Sequence, residues 1–271
     1  MSQGSVLITG CSDGGIGAGL ALIFQQRGYH VFATARNPAK LAALASLPNV
    51  TPLTLDVVNQ EHIQAVLETV SAQTGGTLNY LINNAGRNHF MPLLDDNIDA
   101  AKGIFDINVW GPLAITQAFA PLLIKAQGTL VTISSIAGHG PVPMMGTYSA
   151  SKISLELMSE VFRLELAPFH VKALSIVTGA VATNGQTYFE DWALPADSAY
   201  KKIEEKLAAG VSGRDGMPRT PVEEFATQVV DNIVNGATGK VWLGQGADWA
   251  KNVPAEGEGA VMRVRLPIPS D

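Results

Sequence analysis

The stretch Thr9-Gly10-Cys11-Ser12-Asp13-Gly14-Gly15-Ile16-Gly17 decides the fold class of this chain. It follows a short apolar run, Ser5–Thr9, and opens a helical pattern that extends from about Gly15 to Arg27, where Gly28 ends it. Glycines here permit a tight turn and let a pyrophosphate approach backbone amides at the positive end of a helix. A purely structural turn is the alternative, but the position after a first strand favours dinucleotide binding.

Outward from this turn, short apolar runs alternate with amphipathic segments. The predicted strands are Ser5–Thr9, Tyr29–Thr34, Asn49–Leu55, Tyr80–Asn83, Gly128–Ser134, Val171–Val177 and Val241–Leu243. The main predicted helices are Gly15–Arg27, Asn59–Thr74, Asp99–Ala126 and Tyr148–Leu166. This alternation predicts right-handed βαβ units. We therefore expect an α/β fold: one doubly wound (Rossmann) domain over residues 1–271, with a parallel seven-stranded sheet and helices on both faces.

The alternation of predicted strands and helices stops between Asn184 and Pro218, a segment rich in Gly, Pro and aromatic residues. We expect a substrate lid at about 184–218. A further helix is predicted after this segment, with Thr220 as its N-cap and Pro221 as its first residue. The tail from Asn252 to Asp271 has no predicted element.

Composition narrows the class of protein. The 271 residues are 46% hydrophobic and 15% charged, which predicts an ordered core. A net charge of −6 without a basic cluster argues against a nucleic-acid partner. The sequence shows no signal peptide and no uninterrupted apolar run of about 18 residues, so we expect no membrane span. A lone cysteine, Cys11, fits a reducing compartment. The prediction is a cytoplasmic protein.

The end of the second predicted strand indicates the cofactor. It reads Thr34-Ala35-Arg36-Asn37, where a protein that prefers NAD carries a carboxylate for the ribose hydroxyls. The guanidinium of Arg36 suits the 2′-phosphate of NADP(H). A solvated surface arginine is the alternative, and Asp13 in the glycine loop would repel that phosphate. We predict NADP(H) as cofactor and no metal site.

A tyrosine and a lysine are spaced for proton transfer. Tyr148 and Lys152 lie four residues apart on a predicted helix and therefore share a face. A nearby ammonium, together with oxidised nicotinamide, can lower the pKa of a tyrosine and make it a usable acid or base. Ser134 and Ser135 end the fifth strand, where open α/β sheets bind ligands. The run Asn83-Asn84-Ala85-Gly86 ends the fourth strand, and Asn108 lies in the next helix. Taken singly, these residues also suit turns and helix caps.

Together these motifs resemble the short-chain dehydrogenase/reductase family over nearly the whole chain. Four residues rather than the family's three separate Gly10 from Gly15, and Thr178 replaces a usual proline. The glycine loop and the stretch Ala35–Lys40 are similar to a branch that contains 1-acyldihydroxyacetone-phosphate reductases.

The resemblance implies roles for particular residues. Tyr148 is the implied acid/base, Ser135 orients the carbonyl, Lys152 binds the nicotinamide ribose and lowers the tyrosine pKa, and Asn108 maintains a water-linked proton path. The implied cofactor-binding residues are Gly10, Ser12, Gly15, Ile16, Gly17, Arg36, Asp56, Val57, Asn84, Ala85, Gly86, Tyr148, Lys152, Gly179, Val181 and Thr183. It also implies a homodimer or homotetramer joined through Asp99–Ala126 and Tyr148–Leu166.

The sequence therefore predicts a reductase that moves hydride between NADP(H) and a carbonyl or alcohol. The substrate is expected to be bulky and largely apolar, because apolar and aromatic residues fill the candidate pocket segments: 89–91, 139–145, Phe189, Trp192 and Leu194. Two alternatives stay open at this point. One is a redox-neutral cyclase or isomerase that keeps NADP(H) bound, and the other is a nucleotide-sensing protein without turnover.

Overall fold

A computed structural model describes residues 3–214 and 216–252, without the side chains of 186–188. The tail beyond Asn252, which the predicted domain of 1–271 includes, lies outside the described residues. The strands are β1 Ser5–Ile8, β2 His30–Ala35, β3 Val50–Thr54, β4 Tyr80–Asn83, β5 Thr129–Ile133, β6 Lys172–Thr178, β7 Val181–Ala182, β8 Thr220–Pro221 and β9 Gly239–Leu243. The helices are α1 Ile16–Gln26, α2 Ala42–Ala45, α3 Gln60–Thr74, α4 Ile98–Phe105, α5 Gly111–Ala126, α6 Gly146–Glu165, α7 Glu204–Val211, α8 Val222–Val234 and α9 Ala247–Asn252.

Seven strands form one parallel sheet in the order β3-β2-β1-β4-β5-β6-β9. The predicted doubly wound architecture is confirmed. The strand order reverses between β1 and β4, and ligands of such sheets bind outside the carboxyl ends of the strands at that point.

Apolar side chains pack on both faces of the sheet. Phe24 of α1 and Phe225 of α8 are fully buried on one face, and Phe119 of α5 is fully buried on the other, with Val66 of α3 beside it. All four residues of β1 are buried, as expected for a central parallel strand covered on both sides. The sheet is thus a rigid base for the loops at its carboxyl edge.

The predicted helix Asp99–Ala126 contains a change of geometry. The backbone forms a π-helical turn at Asp106–Trp110, between α4 and α5. Such turns insert one residue per turn and re-aim the side chains that follow. Here the turn carries Asn108, which is fully buried.

By length and composition, the stretch Ile98–Ala126 is also apolar enough to cross a membrane. Half of its most apolar part is buried within the fold. Its α5 portion packs on β4, β5 and α3. A core helix of a globular protein passes the same test, so the expected absence of a membrane span stays a prediction.

The predicted start of the helix after the lid was wrong by one position. Pro221 is the N-cap residue rather than the first helical residue, and Thr220 does not cap α8. Both residues instead form β8, which pairs in parallel with Val181 and Ala182 of β7. The capping pattern was misassigned because a strand pairing already uses the backbone at Thr220.

Candidate active site

The glycine loop is fastened to the loop after β4. The Thr9 hydroxyl oxygen accepts hydrogen bonds from the backbone N–H groups of Asn84 (3.0 Å) and Ala85 (2.9 Å). The Asn84 side-chain amide donates to the carbonyls of Thr9 (2.8 Å) and Gly10 (3.0 Å). The run Asn83–Gly86 therefore sets the shape of the loop, a role that the sequence did not reveal for Thr9.

Two glycines in this loop are required by close approach. Gly10 has φ +75°, and a Cβ there would lie 2.9 Å from the Ala85 Cα. A Cβ on Gly17 would lie 2.4 Å from the Gly10 carbonyl oxygen. Gly15 immediately precedes α1, and Ile16 is the first residue of the helix. The positive end of α1 and an unobstructed backbone thus fit a pyrophosphate at this loop.

Gly14 of the glycine loop contacts the start of the predicted lid. Gly14 has φ +72°, and a Cβ there would lie 2.2 Å from the Asn184 side-chain nitrogen. The Asn184 N–H also donates to the Gly14 carbonyl at 3.4 Å. Ser12 accepts a hydrogen bond from the Gly15 N–H at 3.0 Å through its backbone carbonyl.

Arg36 lies beside the glycine loop at the end of β2. The Cys11 N–H donates to the Thr34 carbonyl at 2.6 Å, which ties the loop to this strand end. Ala35 is buried, whereas Arg36 is exposed and accessible to a ligand. Burial raises the pKa of the Cys11 thiol to about 12, although its hydrogen bond with Thr34 opposes the shift. This buried and inert environment gives Cys11 a packing role.

Two further residues of the implied cofactor site lie after β3. Asp56 accepts a hydrogen bond from the Val58 N–H at 3.3 Å through its carboxylate, and its own N–H donates to His62 Nδ1 at 3.2 Å. Val57 is buried, and a Cβ on Gly111 would lie 2.8 Å from its Cγ2. The Val57 side chain therefore packs against α5, which leaves its backbone for any contact with a ligand.

Ser135, Tyr148 and Lys152 converge at the carboxyl end of β5. The Ser135 hydroxyl lies close enough to the Tyr148 hydroxyl to oppose the effect of burial on the tyrosine pKa. Lys152 Nζ lies 5.8 Å from the centroid of the Tyr148 ring and donates to the Ile133 carbonyl at 2.9 Å. Ser135 also accepts from the Ala137 N–H at 3.2 Å, which holds the following turn. The sequence spacing thus brings these three side chains together.

Asn108 and Gly86 complete this cluster from the π-helical side. The Asn108 Oδ1 accepts from the Arg87 N–H (2.8 Å), and its Nδ2 donates to the Arg87 carbonyl (3.0 Å) and to Ser151 Oγ (3.0 Å). A Cβ on Gly86 would lie 3.3 Å from Asn108 Oδ1 and 3.4 Å from Lys152 Nζ. Asn108 therefore links the loop after β4 to α6 directly, through side-chain and backbone contacts.

Burial shifts the pKa values of Tyr148 and Lys152, the central pair of this cluster. Burial raises the pKa of Tyr148 to about 12, and the hydrogen bond with Ser135 opposes this only in part. Burial also lowers the pKa of Lys152 to about 8. The predicted lowering of the tyrosine pKa, by the ammonium together with oxidised nicotinamide, stays a prediction. A phenolate would lose its hydration in this buried site, and burial therefore disfavours the charged form.

The segment after β6 contacts the end of β9 and the loop that follows it. A Cβ on Gly179 would lie 2.3 Å from the Gln245 carbonyl oxygen, and the Gly179 N–H donates to the Leu243 carbonyl at 2.8 Å. Val181 is buried in β7, and the Thr183 hydroxyl accepts from the Gly185 N–H at 3.2 Å. This segment, which holds three of the implied cofactor-binding residues, is thereby fixed against the loop that follows β9.

Three predicted pocket segments meet. The rings of Phe90 and Phe189 pack edge to face with centroids 5.0 Å apart. Trp192 Nε1 donates to the Phe90 carbonyl at 2.6 Å, and the Met91 N–H donates to the Met144 carbonyl at 2.7 Å. The lid therefore packs on the loop after β4 through aromatic residues.

His139 does not join this aromatic group. Its Nε2 lies 2.9 Å from Glu156 Oε2, and its ring lies 4.5 Å from the Trp242 ring. On the substrate side, Asp96 instead bonds both His89, at 2.7 Å, and the Thr147 hydroxyl. The sequence interpretation missed Asp96 and Glu156. Glu156 had a signal, because it follows Lys152 by four residues on the same helix face.

Known proteins share both the sequence pattern and the fold. The family model described as short chain dehydrogenase matches residues 5–193. A short-chain dehydrogenase of Penicillium crustosum is 45% identical over 250 residues, which cover 92% of each chain. An NADPH-dependent 1-acyldihydroxyacetone phosphate reductase of Schizosaccharomyces pombe is 38% identical over 226 residues, or 82% of this chain and 73% of that protein.

Solved structures give the same result. A short chain dehydrogenase from Burkholderia cenocepacia in complex with NADP has a TM-score of 0.75 at 27% identity, with 92% of each chain covered. A short-chain dehydrogenase from Streptomyces avermitilis has a TM-score of 0.79 at 27% identity, with the same coverage.

Proposed function

Because the chain belongs to the short-chain dehydrogenase family, we propose that it is an NADPH-dependent carbonyl reductase that also catalyses the reverse alcohol oxidation. The observation that carries the proposal is the buried cluster at the carboxyl end of β5. There the Tyr148 hydroxyl lies near the Ser135 side chain, and Lys152 Nζ lies 5.8 Å from the centroid of the tyrosine ring. This cluster and the glycine loop lie at the same edge of the sheet.

Ser135 and Tyr148 act on the carbonyl oxygen of the substrate. Both hydroxyls donate hydrogen bonds to that oxygen and so stabilise the negative charge that develops there. When bound, NADPH supplies the hydride to the carbonyl carbon. Tyr148 then gives its phenolic proton to the alkoxide, and the ammonium of Lys152 stabilises the resulting phenolate.

The protonation state of Tyr148 favours reduction. With a pKa of about 12, the phenol carries its proton at neutral pH, and this is the form that protonates an alkoxide. Oxidation needs the phenolate as a base, so its rate should continue to rise at alkaline pH.

Arg36 is the residue that selects NADPH in this proposal. It is exposed next to the glycine loop, and Ala35 replaces the carboxylate that would bind the ribose of NAD. Two neighbours support this preference: the relative from Schizosaccharomyces pombe is NADPH-dependent by name, and the Burkholderia cenocepacia structure contains NADP.

A bulky, largely apolar ketone or aldehyde is the proposed substrate class. The contacts of Phe90, Phe189 and Trp192 put aromatic surface between the lid and the loop after β4. Apolar walls of this kind favour apolar ligands.

We also propose a homodimer or homotetramer joined through the α4–α5 stretch and α6. Six large apolar residues on these helices are exposed: Ile98 by 68%, Trp110 by 53%, Ile153 by 40%, Leu157 by 66%, Val161 by 43% and Leu164 by 61%. Clusters of exposed apolar residues mark interaction surfaces. Sedimentation that shows only monomer at micromolar concentration would contradict this assembly. A cytoplasmic location stays a prediction of the sequence.

The test is NADPH absorbance recorded with a panel of apolar ketones and aldehydes, with NADH in parallel. Consumption of NADPH with formation of the matching alcohol supports the proposal. Conversion of a substrate without loss of NADPH would indicate the redox-neutral alternative, and tight NADPH binding without any conversion would indicate a nucleotide sensor.

A further inference from the structure

Glu156 is a buried carboxylate just beneath the candidate active site. It lies one turn after Lys152 on α6, and its side chain is 1% exposed. None of the catalytic steps above uses it. Removal of a carboxylate from water is costly unless hydrogen bonds and opposite charges compensate, so its partners show what it holds in place.

Both ends of one loop bind the same oxygen of Glu156. We call residues 134–139 the serine loop, because Ser135 lies within it. At the start of the loop, the Ser134 hydroxyl donates to Glu156 Oε2 at 3.0 Å. At its end, His139 Nε2 lies 2.9 Å from that same Oε2. A single atom of α6 therefore fixes the serine loop on both sides of Ser135.

The second oxygen of Glu156 binds the edge of the sheet. Lys240 of β9 places its Nζ 2.7 Å from Glu156 Oε1. Trp242, two residues further on the same strand, packs on the His139 ring at 4.5 Å. Strand β9 leads into the loop that contacts Gly179 and Ala180. The carboxylate thus joins α6, the serine loop and β9.

The charge of Glu156 is maintained by these partners. Burial alone would raise its pKa, but the hydrogen bonds and positive charges of His139 and Lys240 outweigh burial and hold the pKa below its ordinary value. The ionised form has only acceptor sites, and it can serve Ser134, His139 and Lys240 together.

We propose that Glu156 is a positioning residue for the reduction: its carboxylate fixes the serine loop against α6 and thereby sets the Ser135 hydroxyl beside the Tyr148 hydroxyl. The inference rests on the proposed function. Tyr148 and Glu156 lie on the same helix, and Ser135 lies on the loop that Glu156 holds. A misplacement of about 1 Å in such a pair costs about 100-fold in rate.

The test uses Glu156→Gln, with Glu160→Gln as the matched control. Glu160 lies one turn further along α6, is 34% exposed and pairs with Arg163 at 2.6 Å, away from the serine loop. The amide introduced by Glu156→Gln keeps the side-chain volume but replaces one acceptor oxygen with a donor. We expect Glu156→Gln to lower kcat by roughly 10- to 100-fold and to leave the Kd for NADPH within about twofold, and Glu160→Gln to change neither.

A double-mutant cycle with Ser135→Ala separates positioning from general stability. If Glu156 acts through Ser135, the loss from Ser135→Ala, about 100-fold in the wild type, shrinks to about 10-fold or less in the Glu156→Gln background. Equal losses in both backgrounds would overturn the proposal. If Glu156→Gln fails to fold, His139→Gln removes one tie from the same oxygen, and the same reduced loss of Ser135→Ala is expected.

Hydrogen exchange tests the contact without any turnover. Peptides that cover the serine loop should exchange faster in Glu156→Gln, or in His139→Gln, than in Glu160→Gln, while peptides from β1 stay unchanged. Unchanged exchange in the serine loop would refute the positioning role. If no carbonyl is reduced by the wild type, the proposed function fails on its own, and the exchange result still decides whether Glu156 holds the loop.

Discussion

Replacement of Lys152 by Met should change how the stability of the protein depends on pH. The Lys152 residue is 5% exposed, and burial lowers the pKa of its ammonium from the ordinary 10.5 to about 8. The folded state therefore binds this proton less tightly than the unfolded chain does. Below about pH 8, the Lys152 ammonium therefore lowers the free energy of unfolding. This loss disappears as the pH rises from about 8 to 10.5, because Lys152 becomes neutral in the folded and then in the unfolded state. Met has a similar length and cannot be protonated.

The size of the effect follows from the two pKa values. Linkage gives a cost of about 3 kcal/mol at pH 7 and about 1 kcal/mol at pH 9.5 for the wild type. The free energy of unfolding of wild type relative to Lys152→Met should therefore rise by about 2 kcal/mol between these two pH values. For a chain of this length, that corresponds to a relative shift of roughly 4 °C in Tm. Effects of volume and of the lost bond to Ile133 are equal at both pH values and cancel in the comparison.

Thermal unfolding at pH 7 and pH 9.5, at one protein concentration, is the assay. The matched control is Lys125→Met, because Lys125 also donates to a backbone carbonyl, that of Gly75 at 2.9 Å, but in an exposed setting. The measurements stop at pH 9.5 because Tyr148, whose folded pKa of about 12 lies above its unfolded value, loses its stabilising effect above about pH 10. A Tm difference between wild type and Lys152→Met that is the same at both pH values would refute the lowered pKa of Lys152.

Three further variants test the cofactor and substrate sites. Arg36→Ala should weaken NADPH by about 10-fold or more through loss of a charge-assisted hydrogen bond and leave NADH within about twofold, as measured by calorimetric titration; equal losses for both would mean that Arg36 does not contact the 2′-phosphate. Gly17→Ala should abolish binding of both dinucleotides, because the new Cβ would lie 2.4 Å from the Gly10 carbonyl oxygen; retained binding would show that the loop can shift. Trp192→Ala should raise KM for the carbonyl substrate more than the Kd for NADPH, since Trp192 binds the Phe90 carbonyl on the substrate side; equal changes would assign it to the general fold.

The sequence was sufficient for the fold because its signals are local. Gly17 is required by a close backbone contact within one tight turn, and apolar runs mark strands wherever they occur. The spacing of Tyr148 and Lys152 gives a common helix face directly. These features depend on residues that are close together in the sequence, so they can be predicted before any tertiary contact is known.

Features that depend on tertiary contacts could not be predicted from the sequence. The two partners of Glu156 Oε2, Ser134 and His139, lie 22 and 17 residues earlier in the chain, and no local sequence pattern predicts these contacts. The rise in the Tyr148 pKa comes from burial, which the sequence spacing does not show. The pairing of Thr220 with β7 likewise overrode a typical capping pattern.

The most direct test of the account is the fate of the transferred hydrogen. The wild-type protein is incubated with an apolar ketone and NADPH that carries deuterium at the transferred position of nicotinamide C4, and the alcohol is analysed by mass spectrometry. The account predicts an alcohol with one deuterium on the former carbonyl carbon, formed at least about 100-fold more slowly by Tyr148→Phe. A converted product without deuterium, or an equal rate in Tyr148→Phe, would contradict the proposed reduction.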